Sequence, residues 1–291
     1  MIEDYSYRGE NTKKFEKILE DYIGSYVACT NTGTAALFLS LLLAGIGKGD
    51  YVLCPAISYV ATANAILYTG ATPIFCDVKD DLNIDIDKLE KQFNDISILK
   101  LSKAIVAVHI FGNPCDMIKI NNLCKKYSLI LIEDACQALG SWYNSKHCGT
   151  FGDFGAISFN GNKIITTGGG GALIAKSKKI KEKAMHLSMV SRVSNKDQCQ
   201  HDGIGYNLRM SAWNALLGLE QWKTKEIYFN HLKDKSKSDK IVSNGWARKD
   251  DEGFRIWKPL YSLPHLKDFP RMDCKNAERL GKITRYKINE R

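Results

Sequence analysis

The sequence predicts an α/β protein in which a mostly parallel sheet is sandwiched by helices. Between residue 10 and about residue 185, short apolar segments alternate with segments of helical periodicity. The short segments are apolar throughout rather than at every second position, which is typical of strands buried on both faces. In such sheets the helices lie on both sides, and ligands bind at the carboxyl ends of the strands.

The individual elements follow from local patterns. A first helix is predicted at residues 15–24, where five apolar residues form one stripe and Gly24 ends the helix. Further helices are predicted where longer apolar or amphipathic segments occur, at residues 34–45, 61–70 and 117–128. Strands are predicted from short apolar runs bounded by turn residues, at residues 26–33, 50–55, 72–78, 104–111, 129–134, 156–159 and 171–175.

The chain changes in composition near residue 222, and we predict a domain boundary there. Residues 1–222 contain 23 Lys and Arg against 22 Asp and Glu, whereas residues 223–291 contain 18 against 10. Beyond this point the alternation of helices and strands is replaced by polar, lysine-rich sequence, which predicts a weak helix followed by a linker. We therefore expect a large domain over residues 1–222 and a small, basic C-terminal domain over residues 223–291.

Composition and charge argue against several classes of protein. The longest apolar run, residues 35–46, is too short and too interrupted to span a membrane, and the acidic N-terminal residues lack the apolar region of a secretory signal. The nine cysteines form no CxxC pair, which indicates reduced thiols and no metal site. We therefore expect a cytoplasmic protein that does not bind membranes.

The net charge of +9 raises the question of nucleic acid. No helix-turn-helix, zinc-finger or RNA-binding pattern accompanies it. We therefore expect a solvated basic surface, with no nucleic acid as partner.

A lysine stands in an unusual loop within SFNGNKIITTGGGG, residues 158–171. Apart from Lys163, no charged residue occurs from residue 156 to residue 175. Such surroundings lower the pKa of a lysine and keep its amine neutral, as required of a lysine that forms a Schiff base with a carbonyl. The glycines allow the backbone to turn sharply or to approach a ligand closely. A glycine-rich loop at a sheet edge, without a ligand, is the alternative.

Two acids end the apolar strand in LILIEDACQALGS, residues 129–141. Pyridoxal phosphate (PLP) is the cofactor that enzymes hold on a Schiff-base lysine, and a carboxylate keeps its pyridine nitrogen protonated. Asp134 suits this role better than Glu133 because it lies just beyond the strand, although the alternation of side chains does not settle the choice. An N-cap for the following helix is the alternative role of Asp134.

A turn leads into a helix in NTGTAAL, residues 31–37, and suggests an anion site. Backbone N–H groups at a helix start can bind a phosphate, and Thr32 and Thr34 can add hydroxyl donors. The segment lacks the pattern of loops that bind nucleoside triphosphates. A simple helix cap is the alternative.

Together these segments resemble, over about residues 9–222, the DegT/DnrJ/EryC1/StrS family of nucleotide-sugar aminotransferases. The similarity lies in FEKILEDYIGSYVACTNTGTAAL and the segment that follows it up to FCDV, in VHIFGNPCDM, in IEDACQALGS, in GTFGDFGAISFNGNKIITTGGGG and in GYNLRMSAWNALLGLEQ. It implies the type I, aspartate-aminotransferase-like fold of PLP-dependent transferases. The version SFNGNKIITTGGGG resembles the branch that aminates UDP-linked 4-keto-6-deoxy sugars for bacterial surface glycans.

The resemblance implies roles for individual residues. Lys163 matches the Schiff-base lysine, which also moves the proton between substrate and cofactor, and Asp134 matches the partner of the pyridine nitrogen. Gln137 matches a residue near the ring hydroxyl of the cofactor, and Tyr59 matches an aromatic residue that stacks on the ring. Gly33, Thr34 and Ser158 match positions that bind the cofactor phosphate.

Two further residues and the partners are implied in the same way. Asn207 matches a residue that reaches the cofactor phosphate of the neighbouring subunit, which implies a homodimer. His109 lies close to where substrates of the family bind, and a structural histidine is the alternative. The implied reaction moves the amino group of L-glutamate to PLP, and the pyridoxamine form then aminates a keto sugar on a nucleotide carrier.

The chain departs from the family pattern at both ends. Relatives have an additional leading segment, and only about thirty residues separate Trp222 from Arg255, where relatives have several dozen more. The ending KITRYKINER also differs, although residues 255–281 still resemble the late segment of the family. We therefore expect a shortened C-terminal small domain, which would affect turnover more than cofactor binding.

The leading hypothesis is thus an active PLP-dependent sugar aminotransferase. A degenerate member of the family, which binds PLP or a partner without turnover, is the alternative. A sugar dehydratase is disfavoured because that branch of the family replaces the lysine with histidine. A basic nucleic-acid-binding protein is the remaining hypothesis.

Overall fold

The structure is a computed structural model that describes residues 9–93, 95–193, 200–225, 254–283 and 285–286. Its α-helices are α1 (Glu10–Ile23), α2 (Gly33–Leu43), α3 (Ala61–Tyr68), α4 (Ile86–Phe93), α5 (Met117–Tyr127), α6 (Lys178–Ser188), α7 (Ala212–Lys223) and α8 (Lys275–Leu280). Short 3-10 helices occur at Ser97–Leu101, Ile110–Gly112 and Leu260–Ser262. None of the helices in the described ranges is both long and apolar enough to cross a membrane.

The strands of the main sheet are β1 (Tyr26–Thr30), β2 (Tyr51–Pro55), β3 (Thr72–Cys76), β4 (Ser102–Val108), β5 (Ile130–Asp134), β8 (Phe154–Ser158) and β9 (Gly171–Ala175). Within the described residues, two-stranded ribbons are formed by β6 (Trp142–Tyr143) with β7 (Lys146–His147), β10 (Arg192–Val193) with β11 (Gln200–His201), and β12 (Phe254–Arg255) with β13 (Arg285–Tyr286).

The main sheet has the strand order β1-β9-β8-β5-β4-β2-β3. The pairs β8–β5, β5–β4, β4–β2 and β2–β3 are parallel, whereas β9 is antiparallel to both β1 and β8. The predicted mostly parallel sheet with flanking helices is therefore confirmed. The antiparallel insertion of β9 brings the residues that follow Lys163 back beside β1.

Each predicted helix and strand occurs, with ends that differ by a few residues. The first helix begins at Glu10, five residues before the predicted start. Four of the described helices were not predicted, namely α4, α6, α7 and α8. Helix α6 fully buries only Ala184 and Ser188, and its larger apolar residues, Ile180, Met185 and Leu187, are half-buried and alternate in the sequence with charged residues. The weak helix and linker expected after residue 225 lie outside the described residues.

Two clusters of buried apolar side chains lie on opposite faces of the sheet. Successive residues of β1 contribute to different clusters, since Ala28 belongs to one and Val27 and Cys29 belong to the other. The same alternation occurs in β8 and β9, as a pleated strand requires. This two-sided burial explains why these strands are apolar throughout.

Residues 254–283 pack along the β3 edge of the sheet. The amide of Phe75 donates to the carbonyl oxygen of Pro270 at 3.0 Å, and the amide of Met272 donates to the carbonyl oxygen of Phe75 at 2.9 Å. The buried carboxylate of Asp77 caps α8 by accepting two backbone N–H bonds at its start, at 2.8 and 3.2 Å. The late segment is thereby fixed to the sheet.

The predicted domain boundary between residues 222 and 223 stays a prediction. Residues 226–253, which make up most of the first half of the predicted small domain, lie outside the described residues.

The ribbon β6–β7 carries a fully buried histidine. Nδ1 of His147 donates to the carbonyl oxygen of Cys148 at 2.5 Å, and Nε2 accepts from the amide of Gly140 at 3.0 Å. The ring is neutral in this arrangement, because an acceptor nitrogen carries no proton. Burial lowers the pKa of His147 from 6.5 to about 4, since the charged ring would lose its hydration.

Protonation of His147 is expected to weaken the fold in mild acid. The unfolded chain binds this proton below a pH of 6.5, but the folded chain only below about 4, so stability falls as the pH drops between these values. The full loss is about 3 kcal/mol, at about 1.4 kcal/mol per pH unit. Urea unfolding on both sides of this interval measures it.

The variant His147→Gln cannot be protonated at this position. Its free energy of unfolding should therefore fall less in acid than that of the wild type, even though it is lower at neutral pH because buried hydrogen bonds are lost. His265→Gln, at an exposed position, should retain the wild-type acid dependence. Equal acid losses in the wild type and in His147→Gln would contradict the assignment.

Candidate active site

A cavity of about 280 Å³ lies at the carboxyl ends of β4, β5 and β8. This is the edge at which parallel sheets bind ligands. Seven of the nine residues predicted from the sequence line it, namely Gly33, Thr34, Tyr59, Asp134, Gln137, Ser158 and Lys163. His109 and Asn207 do not.

Lys163 lies in the loop that follows β8. Its amide donates to the carbonyl oxygen of Asn160 at 2.9 Å, which closes a turn and directs the residue to the cavity. Burial lowers the pKa of its ammonium group, while the nearby Cys136 and Asp134 act in the opposite direction. Since burial is the larger influence, more of the amine is neutral at a given pH than for an exposed lysine.

Asp134 ends β5 and presents its carboxylate to the cavity. The hydroxyl of Thr62 donates to Oδ2 at 2.8 Å, and the amide of Cys136 donates to Oδ1 at 3.2 Å. Both carboxylate oxygens therefore have a protein donor that fixes their orientation. Thr62 was not predicted from the sequence, because it lies 72 positions before Asp134.

Glu133 points away from the cavity and is fully buried. Its carboxylate accepts from the amide of Gly149 at 2.8 Å, from the amide of Gly152 at 2.6 Å and from Nε2 of His109 at 3.0 Å. The structure thus places only Asp134 of the two acids at the cavity. Glu133 instead binds the loop before β8 to the end of β4.

His109 has both ring nitrogens engaged inside the protein. Nδ1 accepts from the amide of Cys115 at 3.1 Å, so Nε2 carries the proton that is donated to Glu133. The side chain is fully buried and does not line the cavity. The geometry therefore favours the structural role of His109 over the substrate contact expected from the sequence.

The start of α2 forms the polar end of the cavity. Thr32 caps the helix, because its hydroxyl oxygen accepts from the amide of Ala35 at 3.0 Å. A Cβ atom on Gly33 would lie 2.7 Å from Cβ of Ser158, so only glycine allows the helix start to approach β8 this closely. A Cβ atom on Gly171 would collide with the backbone of Thr32. The first amides of a helix have no intrahelical acceptor and favour an anion.

An aromatic cluster forms one wall beside the cavity. The ring of Tyr59 is about half exposed and lies 6.4 Å from that of Trp257, which stacks on Phe111 at 5.3 Å. The amide of Phe111 donates to Oε1 of Gln137 at 2.6 Å and so orients this side chain. Trp257 and Phe111 were missed by the sequence analysis, since their roles depend on how the late segment docks.

Asn207 is exposed and lies outside the cavity. Its backbone carbonyl accepts from the side-chain amide of Asn31 at 3.4 Å. Two residues later, Arg209 forms a buried ion pair with Glu16 at 2.7 Å, and this pair fixes the segment beside β1.

The sequence and the fold are similar to those of known proteins. The model of the DegT/DnrJ/EryC1/StrS aminotransferase family matches residues 3–235. The chain is 39% identical over 231 residues to GDP-perosamine synthase of Escherichia coli O157:H7, which covers 79% of this chain and 62% of that protein. It is 40% identical over 224 residues to UDP-4-amino-4,6-dideoxy-N-acetyl-beta-L-altrosamine transaminase of Campylobacter jejuni, which covers 74% of this chain and 57% of that protein.

Solved structures include one with the same fold and related sequence. The PLP-form of a putative sugar aminotransferase, Spr1654 of Streptococcus pneumoniae, superimposes with a TM-score of 0.72 at 27% identity, covering 79% of this chain and 63% of that one. The chain spans less than two thirds of the length of either curated relative, at 62% and 57%.

Glu133→Gln is expected to destabilise the fold strongly. A glutamine has one acceptor oxygen, so its NH2 group would face N–H donors that the carboxylate now satisfies. The loss of buried hydrogen bonds to a charged group should lower the free energy of unfolding by about 3 kcal/mol, as measured by urea unfolding. Glu220→Gln removes an exposed surface pair and should cost less than about 1 kcal/mol. Similar effects of the two substitutions would contradict the role of Glu133.

Proposed function

Since this chain belongs to the DegT/DnrJ/EryC1/StrS aminotransferase family, we propose that it transfers the amino group of L-glutamate to a keto sugar on a nucleotide carrier, with PLP as its cofactor. The observation that carries the proposal is the cavity, where a buried lysine and a strand-end aspartate meet the polar start of a helix. These three features come from distant parts of the chain, and each suits a different group of PLP.

The residues at the cavity fit PLP group by group. The start of α2, with Thr34 and Ser158, offers N–H and hydroxyl donors for the phosphate. Asp134 offers the carboxylate that a pyridinium nitrogen requires, and Lys163 the amine that an aldehyde requires. The close contact at Gly33, where a Cβ atom would overlap Ser158, keeps the helix start near the end of β8.

The chemistry divides between cofactor and protein. When bound, PLP supplies an aldehyde that takes up an amino group and a ring that withdraws electrons from the neighbouring carbon. Lys163 holds the cofactor covalently through Nζ and, once released, accepts and returns a proton at that atom. Its lowered pKa suits both tasks because each needs the neutral amine. Asp134 would accept a hydrogen bond from the protonated ring nitrogen and so stabilise its charge, and Gln137 and Tyr59 would orient the ring.

The proposed sugar is a UDP-linked 4-keto-6-deoxy sugar. The loop SFNGNKIITTGGGG, which carries Lys163, supports it through its resemblance to that branch of the family. The Campylobacter jejuni relative is named for a UDP-linked amino sugar, whereas the Escherichia coli relative is named for a GDP-linked one. The nucleotide is therefore decided by experiment.

We also propose a homodimer in which Asn207 contacts the cofactor phosphate of the neighbouring subunit. Its exposed position outside its own cavity supports a role across an interface. The buried pair of Glu16 and Arg209 would hold this segment in place.

Lys163→Ala is expected to abolish covalent attachment of PLP. The wild-type chain mixed with PLP should absorb visible light, and borohydride should fix the cofactor on the peptide that contains Lys163, as read by mass spectrometry. Lys176→Ala removes a lysine of an exposed pair with Asp153 and should behave like the wild type. Wild-type protein that stays colourless with PLP, or an adduct on another lysine, would contradict the cofactor assignment.

L-glutamate is expected to convert the visible absorbance of the PLP-bound chain to that of the pyridoxamine form. A UDP-linked 4-keto-6-deoxy sugar should then restore it faster than the GDP-linked or dTDP-linked counterpart. Absence of any change with glutamate would favour the alternative, a degenerate member that binds PLP without turnover. Fastest recovery with the GDP-linked sugar would correct the nucleotide.

A further inference from the structure

We propose that Thr62 is the positioning residue of Asp134, and that Ser58 acts through Thr62 to hold the same carboxylate. The proposal rests on the proposed function, since the orientation of this carboxylate matters for activity only if a pyridine nitrogen pairs with it. It adds two hydroxyl groups, from the segment between β2 and α3 and from α3 itself, to the machinery of the site.

The direction of the hydrogen bonds follows from the chemistry of the groups. Oγ1 of Thr62 lies 2.8 Å from Oδ2 of Asp134 and 2.8 Å from Oγ of Ser58. An ionised carboxylate only accepts hydrogen bonds, so the single hydroxyl proton of Thr62 is donated to Asp134. Ser58 must therefore donate to Thr62. The three groups form one chain of hydrogen bonds that ends at the cavity carboxylate.

The side chains of Ser58, Thr62 and Asp134 are all buried. The exposed fractions are 1% for Ser58, 2% for Thr62 and 6% for Asp134. A hydrogen bond to a charged group is stronger than one between neutral groups, and burial removes competition from water. Oδ1 has its own donor in the amide of Cys136. Both oxygens are thus fixed, and the plane of the carboxylate is set before any ligand binds.

The hydroxyls are not explained by helix capping. Residue Val60 is the N-cap of α3, and no side chain caps that helix. Ser58 and Thr62 flank the helix start and could satisfy its backbone amides, a common role for these residues. Instead they bond to each other and to Asp134. The same turn carries Tyr59, whose carbonyl oxygen accepts from the amide of Thr62 at 3.2 Å.

The test compares Thr62→Val with Thr62→Ser in the full-length chain. Valine retains the shape and removes the donor, whereas serine retains the donor. Thr62→Val should raise the dissociation constant of PLP about tenfold or more, because a hydrogen bond to a buried charge is lost. With ¹⁵N-labelled PLP, the nuclear magnetic resonance signal of the ring nitrogen should move towards its unprotonated position. Thr62→Ser should match the wild type in both measurements.

Thr150→Val is the matched control. The hydroxyl of Thr150 is also buried and donates to the carbonyl oxygen of His147 at 2.6 Å, but it lies outside the cavity. This variant should lose stability as Thr62→Val does, yet leave the dissociation constant and the nitrogen signal unchanged. Ser58→Ala should weaken PLP binding less than Thr62→Val, because it removes only the second donor of the chain.

Three outcomes would overturn the proposal. Unchanged PLP binding and an unchanged ring-nitrogen signal in Thr62→Val would make the hydroxyl purely structural. An equal defect in Thr62→Ser would assign the effect to packing of the methyl group. Failure of the wild-type chain itself to bind PLP would reject the proposed function and this proposal together, whereas the first two outcomes leave the proposed function intact.

Discussion

The buried carboxylate of Glu133 is the constraint on which the site depends. It binds two amides of the loop before β8 and the ring of His109 at the end of β4. Burying a charge in this way is costly unless every oxygen has donors, and here three N–H groups supply them. The loop, β4 and β5 are thereby fixed relative to one another. These fixed segments determine the position of the next residue, Asp134.

Two adjacent acids thus perform opposite tasks because successive side chains of a strand point to opposite faces. Glu133 faces the interior, where its carboxylate binds backbone amides of the loop before β8. Asp134 faces the cavity, and its own donors leave its carboxylate oriented for a cationic partner. The neutral His109 belongs to the interior side, since Nδ1 accepts from Cys115 and Nε2 donates to Glu133.

The cavity also depends on close approaches that larger side chains would prevent. Gly33 lets the start of α2 reach Ser158, and Gly171 lets β9 pass beside Thr32. On the opposite wall, Trp257 of the late segment packs near Tyr59 and on Phe111. The capping of α8 by Asp77 holds that late segment on the edge of β3. The wall of the site thus relies on contacts more than 190 positions apart in the chain.

The sequence by itself determined the class of fold, most helix and strand positions, and the segments that carry Lys163, Asp134 and the turn at Gly33. These features are local, since apolar periodicity, glycines and an isolated lysine are visible within a few residues. Only the tertiary structure decided the strand order, the antiparallel β9, the interior role of His109, and the pairing of Thr62 with Asp134. Each of these depends on which distant segments become neighbours and on the face to which a side chain points. The local periodicity of the sequence gives no information about either of these.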